Sequence, residues 1–349
     1  MGKHIHGGDI YRYQNTIDFS SNCNPLGTPK SVKEAVKNSV EDLANYPQVG
    51  YETLREAIGQ YEGVRPEQVI CGNGAAELIF SLCRALLPKR AVLPAPTFAE
   101  YEQALKSVGC QVEHYVLKEE NGYVLDSSFL EFLKPQVDIL FLCNPNNPTG
   151  VLIPRELLLK ILDRCMENDI FLVVDECFLD FVEQPEAYTL KPYLEKGGRL
   201  FLLKAFTKRY AMAGVRLGYG LCGNARLLER MGDCVQPWNL SVMAQEAGLA
   251  ALKETEYVRE GRQRVFAEKA FLKGVLERLG LTFYGSEANY IFFKGPKELW
   301  QQALQEGILI RDCGNYPGLN AGYFRIAVKN HRENLVLAAA LEKIIKGGQ

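Results

Sequence analysis

Short apolar runs alternate with longer segments of mixed polarity through the first two thirds of this chain. Gln68-Val69-Ile70-Cys71, the stretch from 90 to 94, Val137-Asp138-Ile139-Leu140-Phe141-Leu142-Cys143, Ile170-Phe171-Leu172-Val173-Val174 and Leu200-Phe201-Leu202-Leu203 lack the in-and-out alternation of a half-exposed strand. They read as strands buried on both faces, with a further strand near 111 to 117. Between them apolar residues recur at helical spacing: Val32, Ala35, Val36 and Val40 predict a helix over 29–44, and others are expected over about 51–62, up to about 108, and over about 154–167. Strand and helix alternating from about 68 to 220 predict a mainly parallel sheet covered on both faces. From about 241 the rhythm changes to long helices, 241–252 and 258–279, followed by strands over 288–293 and 323–328. The expected fold class is therefore α/β, with an irregular arm over 1–28, a large domain over 29–240 and a smaller α+β domain over 241–349.

Composition narrows the class of partner more than the fold. The 349 residues carry a formal charge of -2, so no basic excess points to nucleic acid or to an anionic membrane surface, and a small-molecule partner is expected. No apolar run approaches the roughly 18 residues that span a bilayer. Met1 to Gly8 is polar, without the apolar segment of a secretory signal, and position 6 is not the Ser or Thr of a myristoylation site, so a cytoplasmic location is expected. The ten cysteines include no CxxC pair and several sit in apolar runs, which fits buried free thiols in a reducing compartment. The four histidines form no HxxxH or HExxH pair, so no metal site is expected.

Candidate chemistry gathers where the apolar runs stop. After Leu200 to Leu203 comes Lys204-Ala205-Phe206-Thr207-Lys208-Arg209, with Arg216 eight residues beyond Lys208. A lysine at a strand end can condense with an aldehyde, and an arginine nearby can clamp a phosphate, a pairing that points to pyridoxal phosphate. Gly72-Asn73-Gly74-Ala75-Ala76-Glu77 joins a strand to a helix N-terminus, whose free N–H groups suit an anion; Glu77 stands where a dinucleotide motif would have its third glycine. Asp175, closing the strand before Glu176, can hold a pyridine nitrogen protonated, and Phe98 lies just past another strand end, where an aromatic face can stack on a ring. Asn144-Pro145-Asn146-Asn147-Pro148-Thr149-Gly150 is a turn that neither strand nor helix can share.

In this order, the Asn-Pro-rich turn, Asp175-Glu176-Cys177-Phe178 and Thr207-Lys208 with Arg216 resemble the class I and II aminotransferases, of pyridoxal-phosphate fold-type I, over nearly the whole chain. His6-Gly7-Gly8, the stretch from Asp18 to Gly27, and the stretch from Ile308 to Leu319 are similar to those of the branch that decarboxylates L-threonine O-3-phosphate in cobalamin biosynthesis. Histidinol-phosphate aminotransferases are its near relatives. The resemblance implies a pyridoxal 5'-phosphate enzyme with Lys208 as the Schiff-base lysine, Asp175 at the pyridine nitrogen, Asn147 at the ring hydroxyl and Phe98 on the ring face. It implies that Thr207, Arg216 and the backbone at Ala75 and Ala76 hold the cofactor phosphate, joined by Tyr46 from a second subunit of a homodimer with shared sites. Arg325 would take the substrate carboxylate, with His6, Asn22 and Arg311 around a substrate phosphate.

This sequence departs from many relatives at two of these places. Phe178 stands where transaminating relatives carry a tyrosine, and Ala205 where many carry a serine or threonine. Three functions remain open from the residues: decarboxylation of a phosphorylated hydroxyamino acid, transamination of histidinol phosphate or another amino acid, and a non-catalytic cofactor-binding regulator. The last would need a basic DNA-reading helix, and no such segment is visible.

Overall fold

The computed structural model describes residues 6–347. The N-terminal segment read above as polar therefore lies outside the described residues over 1–5, as do the last two residues of the chain. Thirteen strands are formed among the described residues: β1 (Ile17–Asp18), β2 (Val69–Asn73), β3 (Arg90–Ala95), β4 (Gln111–Val116), β5 (Ile139–Cys143), β6 (Phe171–Asp175), β7 (Leu200–Ala205), β8 (Leu217–Cys222), β9 (Phe283–Tyr284), β10 (Tyr290–Lys294), β11 (Ile308–Leu309), β12 (Arg311–Asp312) and β13 (Tyr323–Ala327).

Seven of them make one sheet in the order β2-β8-β7-β6-β5-β3-β4, in which only β8 runs antiparallel to its neighbours. The unbroken apolar runs are explained by its two covered faces. Leu200 and Leu202 join one core with Leu140, Leu172 and the 155–167 helix residues Leu158 and Ile161, while Phe201 and Leu203 join the other with Phe141, Val173 and the 74–86 helix residues Leu78 and Leu82. Period-two alternation is present, but both phases are buried.

Where the expected boundaries differ, local hydrogen bonds give the reason. The helix expected over 29–44 is helical over Lys30–Asn38 and tightens to a 3-10 turn over Ser39–Asp42, where the Ser39 hydroxyl donates back to the Val36 carbonyl at 2.9 Å. Strand β2 runs on through Gly72 and Asn73, because both pair with β8 at Gly218 and Leu217. Gly218 permits this close fit: a Cβ there would stand 2.4 Å from the Ala75 nitrogen.

The second sheet, β12-β13-β10-β9, is antiparallel. The arm is not wholly irregular, since β1 pairs in parallel with β11, and the Ala327 N–H donates to the Phe19 carbonyl at 2.8 Å. Two-residue strands have no periodicity to read. Their effect is to pin Ser20, Ser21 and Asn22 beside the second sheet.

A polar clamp joins that sheet to the loop after β4. The Glu119 carboxylate accepts from Tyr284 Oη at 2.5 Å, Tyr323 Oη at 2.6 Å and Lys294 Nζ at 2.9 Å, around the edge-packed rings of Tyr123, Tyr284 and Phe292. These donors, the Tyr284 hydroxyl foremost, hold the Glu119 carboxyl down at about 2. Its side chain is 40% exposed, so solvent screens the clamp and its stabilisation is modest. A folded-state value below the unfolded one means that the contribution is complete above the ordinary carboxyl range and fades as pH falls toward 2. Glu119→Gln is therefore expected to lower the Tm at pH 7 and to differ less and less from the wild type below about pH 4.5, the ordinary carboxylate range; a Tm difference independent of pH would show that the charge contributes nothing.

Candidate functional site

Strands β3, β5, β6 and β7 all end at the same edge of the large sheet, and a cavity of about 300 Å³ opens there. Ala75, Ala76, Phe98, Asn147, Asp175, Thr207, Lys208, Arg216, His6, Asn22, Arg311 and Arg325 all line it. Tyr46 does not: it is 79% exposed and stacks on Trp238 at 4.5 Å, away from the cavity of its own chain.

The turn over 144–150 assigns its three asparagines different work. Asn144 Oδ1 accepts from the Ile153 N–H at 2.9 Å, and Asn146 binds Thr97 Oγ1, the Pro96 carbonyl and Thr149 Oγ1 at 2.9 to 3.0 Å. Those two build the turn. Asn147 is left facing the cavity, where its Oδ1 accepts from Arg325 Nη1.

Asp175, buried at the end of β6, accepts from Tyr101 Oη at 2.5 Å and from the Cys177 N–H at 2.9 Å. Burial raises its carboxyl above the ordinary range, with the Cys177 and Tyr101 hydrogen bonds and Lys208 opposing. A buried carboxylate facing a cavity in this state favours a cationic or proton-bearing ligand atom beside it. Tyr101, fully buried and stacked on Phe141 at 5.0 Å, was not singled out from sequence. The available signal was its position three residues after Phe98, on the same face of the helix Ala99–Ser107 that opens the site.

The two lysines after the buried run separate sharply. Lys204 points away from the cavity into the protein, with Nζ 3.1 Å from Glu176 Oε2 and 3.7 Å from Glu62 Oε1. Burial would lower its pKa, but the two carboxylates outweigh that and hold the ammonium charged; reciprocally Glu62, despite its burial, is held at about 2 by Lys204, Arg209 and Lys191. Lys204 is thus unsuited to act as a free amine. Lys208, on the short helix Phe206–Arg209, lines the cavity with Nζ 5.8 Å from the Phe178 ring centroid.

At one pole the cavity is built for an anion. The helix Gly74–Leu86 begins there, and Gly74 has φ +76° and lies so near Arg216 that a Cβ would meet Nη2 at 2.5 Å. Ala75, Ala76, Thr207 and Arg216 line the cavity, and the first turn of that helix leaves backbone N–H groups without intrahelical partners. Ala205 adds no hydroxyl to this pole.

Two more cations stand on the second sheet. Arg311 on β12 and Arg325 on β13 are register partners, so their side chains leave the same face, and both are buried in the cavity wall. Arg325 Nη2 donates to the Ser20 carbonyl at 2.7 Å, and Asn22, with its amide oxygen turned to the guanidinium, accepts from Nε at 3.2 Å. Arg311 Nη2 donates to Asn315 Oδ1 at 2.8 Å, with the guanidinium carbon 5.2 Å from the Tyr316 ring centroid. Glu100 and Tyr316 join this end; neither was visible as a site residue in the sequence, because loop and helix geometry bring them in.

The cavity thus brings together an arginine beside a helix N-terminus, a buried carboxylate, a lysine and two further buried arginines. The family model described as aminotransferase class I and II matches residues 14–343. A threonine-phosphate decarboxylase of Salmonella typhimurium is 36% identical, covering 98% of this chain and 97% of its own. A histidinol-phosphate aminotransferase of Methanosphaera stadtmanae is 29% identical, covering 95% and 91%. The solved histidinol-phosphate aminotransferase of Clostridium acetobutylicum superposes with a TM-score of 0.88 at 29% identity, covering 94% of this chain and 99% of that one.

Removing the Lys204 charge leaves Glu62 and Glu176 buried and undercompensated, which costs about 3–5 kcal/mol in comparable pairs. Lys204→Met is expected to lose that much stability in chemical denaturation; a loss below about 1 kcal/mol would mean that the network is dispensable.

Proposed function

The chain belongs to the class I and II aminotransferase family, and on that premise we propose that it is a pyridoxal 5'-phosphate enzyme that decarboxylates a phosphorylated hydroxyamino acid. The substrate is L-threonine O-3-phosphate and the product 1-aminopropan-2-ol phosphate, a step of cobalamin biosynthesis. The observation that carries the reading is the paired arginines: Arg311 and Arg325, side by side and buried, supply two cationic positions in one cavity for a substrate with two anionic groups. The full-length similarity to a threonine-phosphate decarboxylase supports the same substrate class.

The cavity residues fit the cofactor, because the anion pole at Gly74 and Arg216, the buried carboxylate of Asp175 and the amine of Lys208 lie in one wall. Thr207, Arg216 and the backbone at Ala75 and Ala76 would hold its phosphate, Asp175 its ring nitrogen, Asn147 its ring hydroxyl and Phe98 its face. When bound, pyridoxal phosphate supplies an aldehyde that condenses with amines and a protonated ring that accepts the electron pair of a breaking Cα bond.

The protein's own part is orientation and proton handling. Tyr101 donates to Asp175 Oδ2 and fixes the carboxylate that would meet the ring nitrogen. Arg325, itself held by Asn147 and Ser20, would bind the substrate carboxylate, while Arg311 with His6 and Asn22 would anchor the distant phosphate. Two fixed anchors set rotation about the Cα bonds, which selects the bond that breaks. Lys208 Nζ would be the amine that meets the cofactor's aldehyde, and it is the cavity amine able to carry a proton back to the substrate Cα. Phe178 packs edge-on against Tyr290 at 5.0 Å and brings no hydroxyl to the ring.

A homodimer with shared sites belongs to the same proposal. Tyr46 and Trp238 form an exposed aromatic pair with Leu43 and Val49 also exposed nearby in sequence, a surface suited to a second copy that would receive Tyr46 at its cofactor phosphate. No helix among the described residues is long and apolar enough to cross a membrane.

With phosphothreonine and no keto-acid acceptor, stoichiometric CO2 and an aminoalcohol phosphate are expected; strict dependence on 2-oxoglutarate without CO2 would assign the chain to transamination instead. Arg311→Ala should weaken phosphorylated ligands, and Arg325→Ala amino acids but not phosphoamines, each by about 2–5 kcal/mol. Equal losses for every ligand would refute the division between the arginines. Borohydride reduction of the pyridoxal-phosphate-loaded protein should label the peptide of Lys208; a label on Lys204 would reassign the amine.

A further inference from the structure

Glu100 is a carboxylate in a place built for anions. It lines the cavity from the helix Ala99–Ser107, its Oε1 lies 3.2 Å from His6 Nδ1, and its Oε2 is buried with no hydrogen-bond partner among the described residues. The groups facing it come from every wall: His6 from the arm, Lys208 from the helix after β7, Arg311 from β12, Asp175 from β6 and Tyr316 from the loop after β12. An ionised carboxylate there would repel a bound phosphate, whereas a protonated one would donate to it. With no protein donor at Oε2 among the described residues, the carboxyl is open to protonation when a ligand's negative charge arrives beside it.

We propose that Glu100 is a substrate-contacting residue that takes up a proton when a phosphorylated ligand binds and donates its hydrogen bond to the phosphate. The proposal rests on the reading that the Arg311 end of the cavity receives a phosphate. Burial pushes the Glu100 carboxyl up to about 7 against the opposing pull of Lys208 and Arg311. A phosphate dianion beside it raises it further, so binding above that pH draws a proton from solution and weakens by up to about tenfold per pH unit. The ligand's own second ionisation, at about pH 6, is complete in that range.

The test is calorimetric titration of propyl phosphate, which lacks a reacting amine, into the cofactor-loaded enzyme at pH 7.5 to 8.5, in two buffers of different ionisation enthalpy. The wild type is expected to take up roughly one proton per site at pH 8, and its Kd to rise with pH. Glu100→Gln, which keeps an N–H donor but cannot titrate, should bind with no uptake and a flat profile. His6→Gln should keep the uptake. Uptake retained in Glu100→Gln, or lost in His6→Gln, overturns the role of Glu100 while leaving the phosphate reading intact, provided that Arg311→Ala weakens binding in the same assay. No binding by the wild type overturns both.

Discussion

A parallel sheet covered on both faces has room for polar side chains only where its strands stop. In this protein Phe171–Val174 and Leu200–Leu203 are sealed on both sides, so the first unsealed positions, Asp175 and the segment after Leu203, carry the charge. That constraint gathers Asn147, Asp175 and Lys208 at one edge, and the same edge receives the N-terminus of the helix Gly74–Leu86 because β2 runs parallel to β7 with β8 between them. The antiparallel β8 is what brings Arg216 to that edge, since the residue stands just before the strand's first position, Leu217, rather than after its last.

Charges buried so deeply need partners, and two separate networks provide them. Behind the sheet edge, Lys204 is neutralised by Glu62 and Glu176, the latter further held by Thr189 Oγ1 and the Leu190 N–H at about 3.0 Å. In front, Asp175 accepts from Tyr101 and the Cys177 backbone, and burial raises its carboxyl against the pull of those hydrogen bonds and of Lys208. The first network is complete without a ligand. The second has a carboxylate of unmet charge facing a cavity, which is the physical distinction between a structural and a ligand-seeking ion.

The second sheet and the arm complete the other half of the site. Pairing of β1 with β11 draws Ser20 and Asn22 onto Arg325, so with Asn147 two segments far apart in sequence hold one guanidinium. Glu119 fastens the loop after β4 to the same sheet. The distance between the two arginines and the edge of the large sheet therefore depends on short polar contacts as well as on the core.

The order of strands from β2 to β7 was legible because apolar runs and 3.6-residue periodicity are local properties, written where the element forms, whereas β8, with Gly218 and Gly220 among its six residues, was not read as a strand. The lysines at 204 and 208 were legible as strand-end candidates for the same reason, and apolar patterning does not separate them; only the family resemblance, through the spacing of Lys208 to Arg216, singled out Lys208. Only the tertiary structure turns Lys204 onto Glu62 and Glu176 and Lys208 into the cavity, since those carboxylates are 142 and 28 residues from Lys204 in the chain, taken as 204 less 62 and 204 less 176. The β1–β11 pairing, the Tyr101 bond to Asp175 and the position of Glu100 beside His6 were likewise beyond the sequence. Each is a single contact between distant segments and leaves no periodic trace, so it exists only after the cores on the two faces of the sheet have fixed where every strand ends.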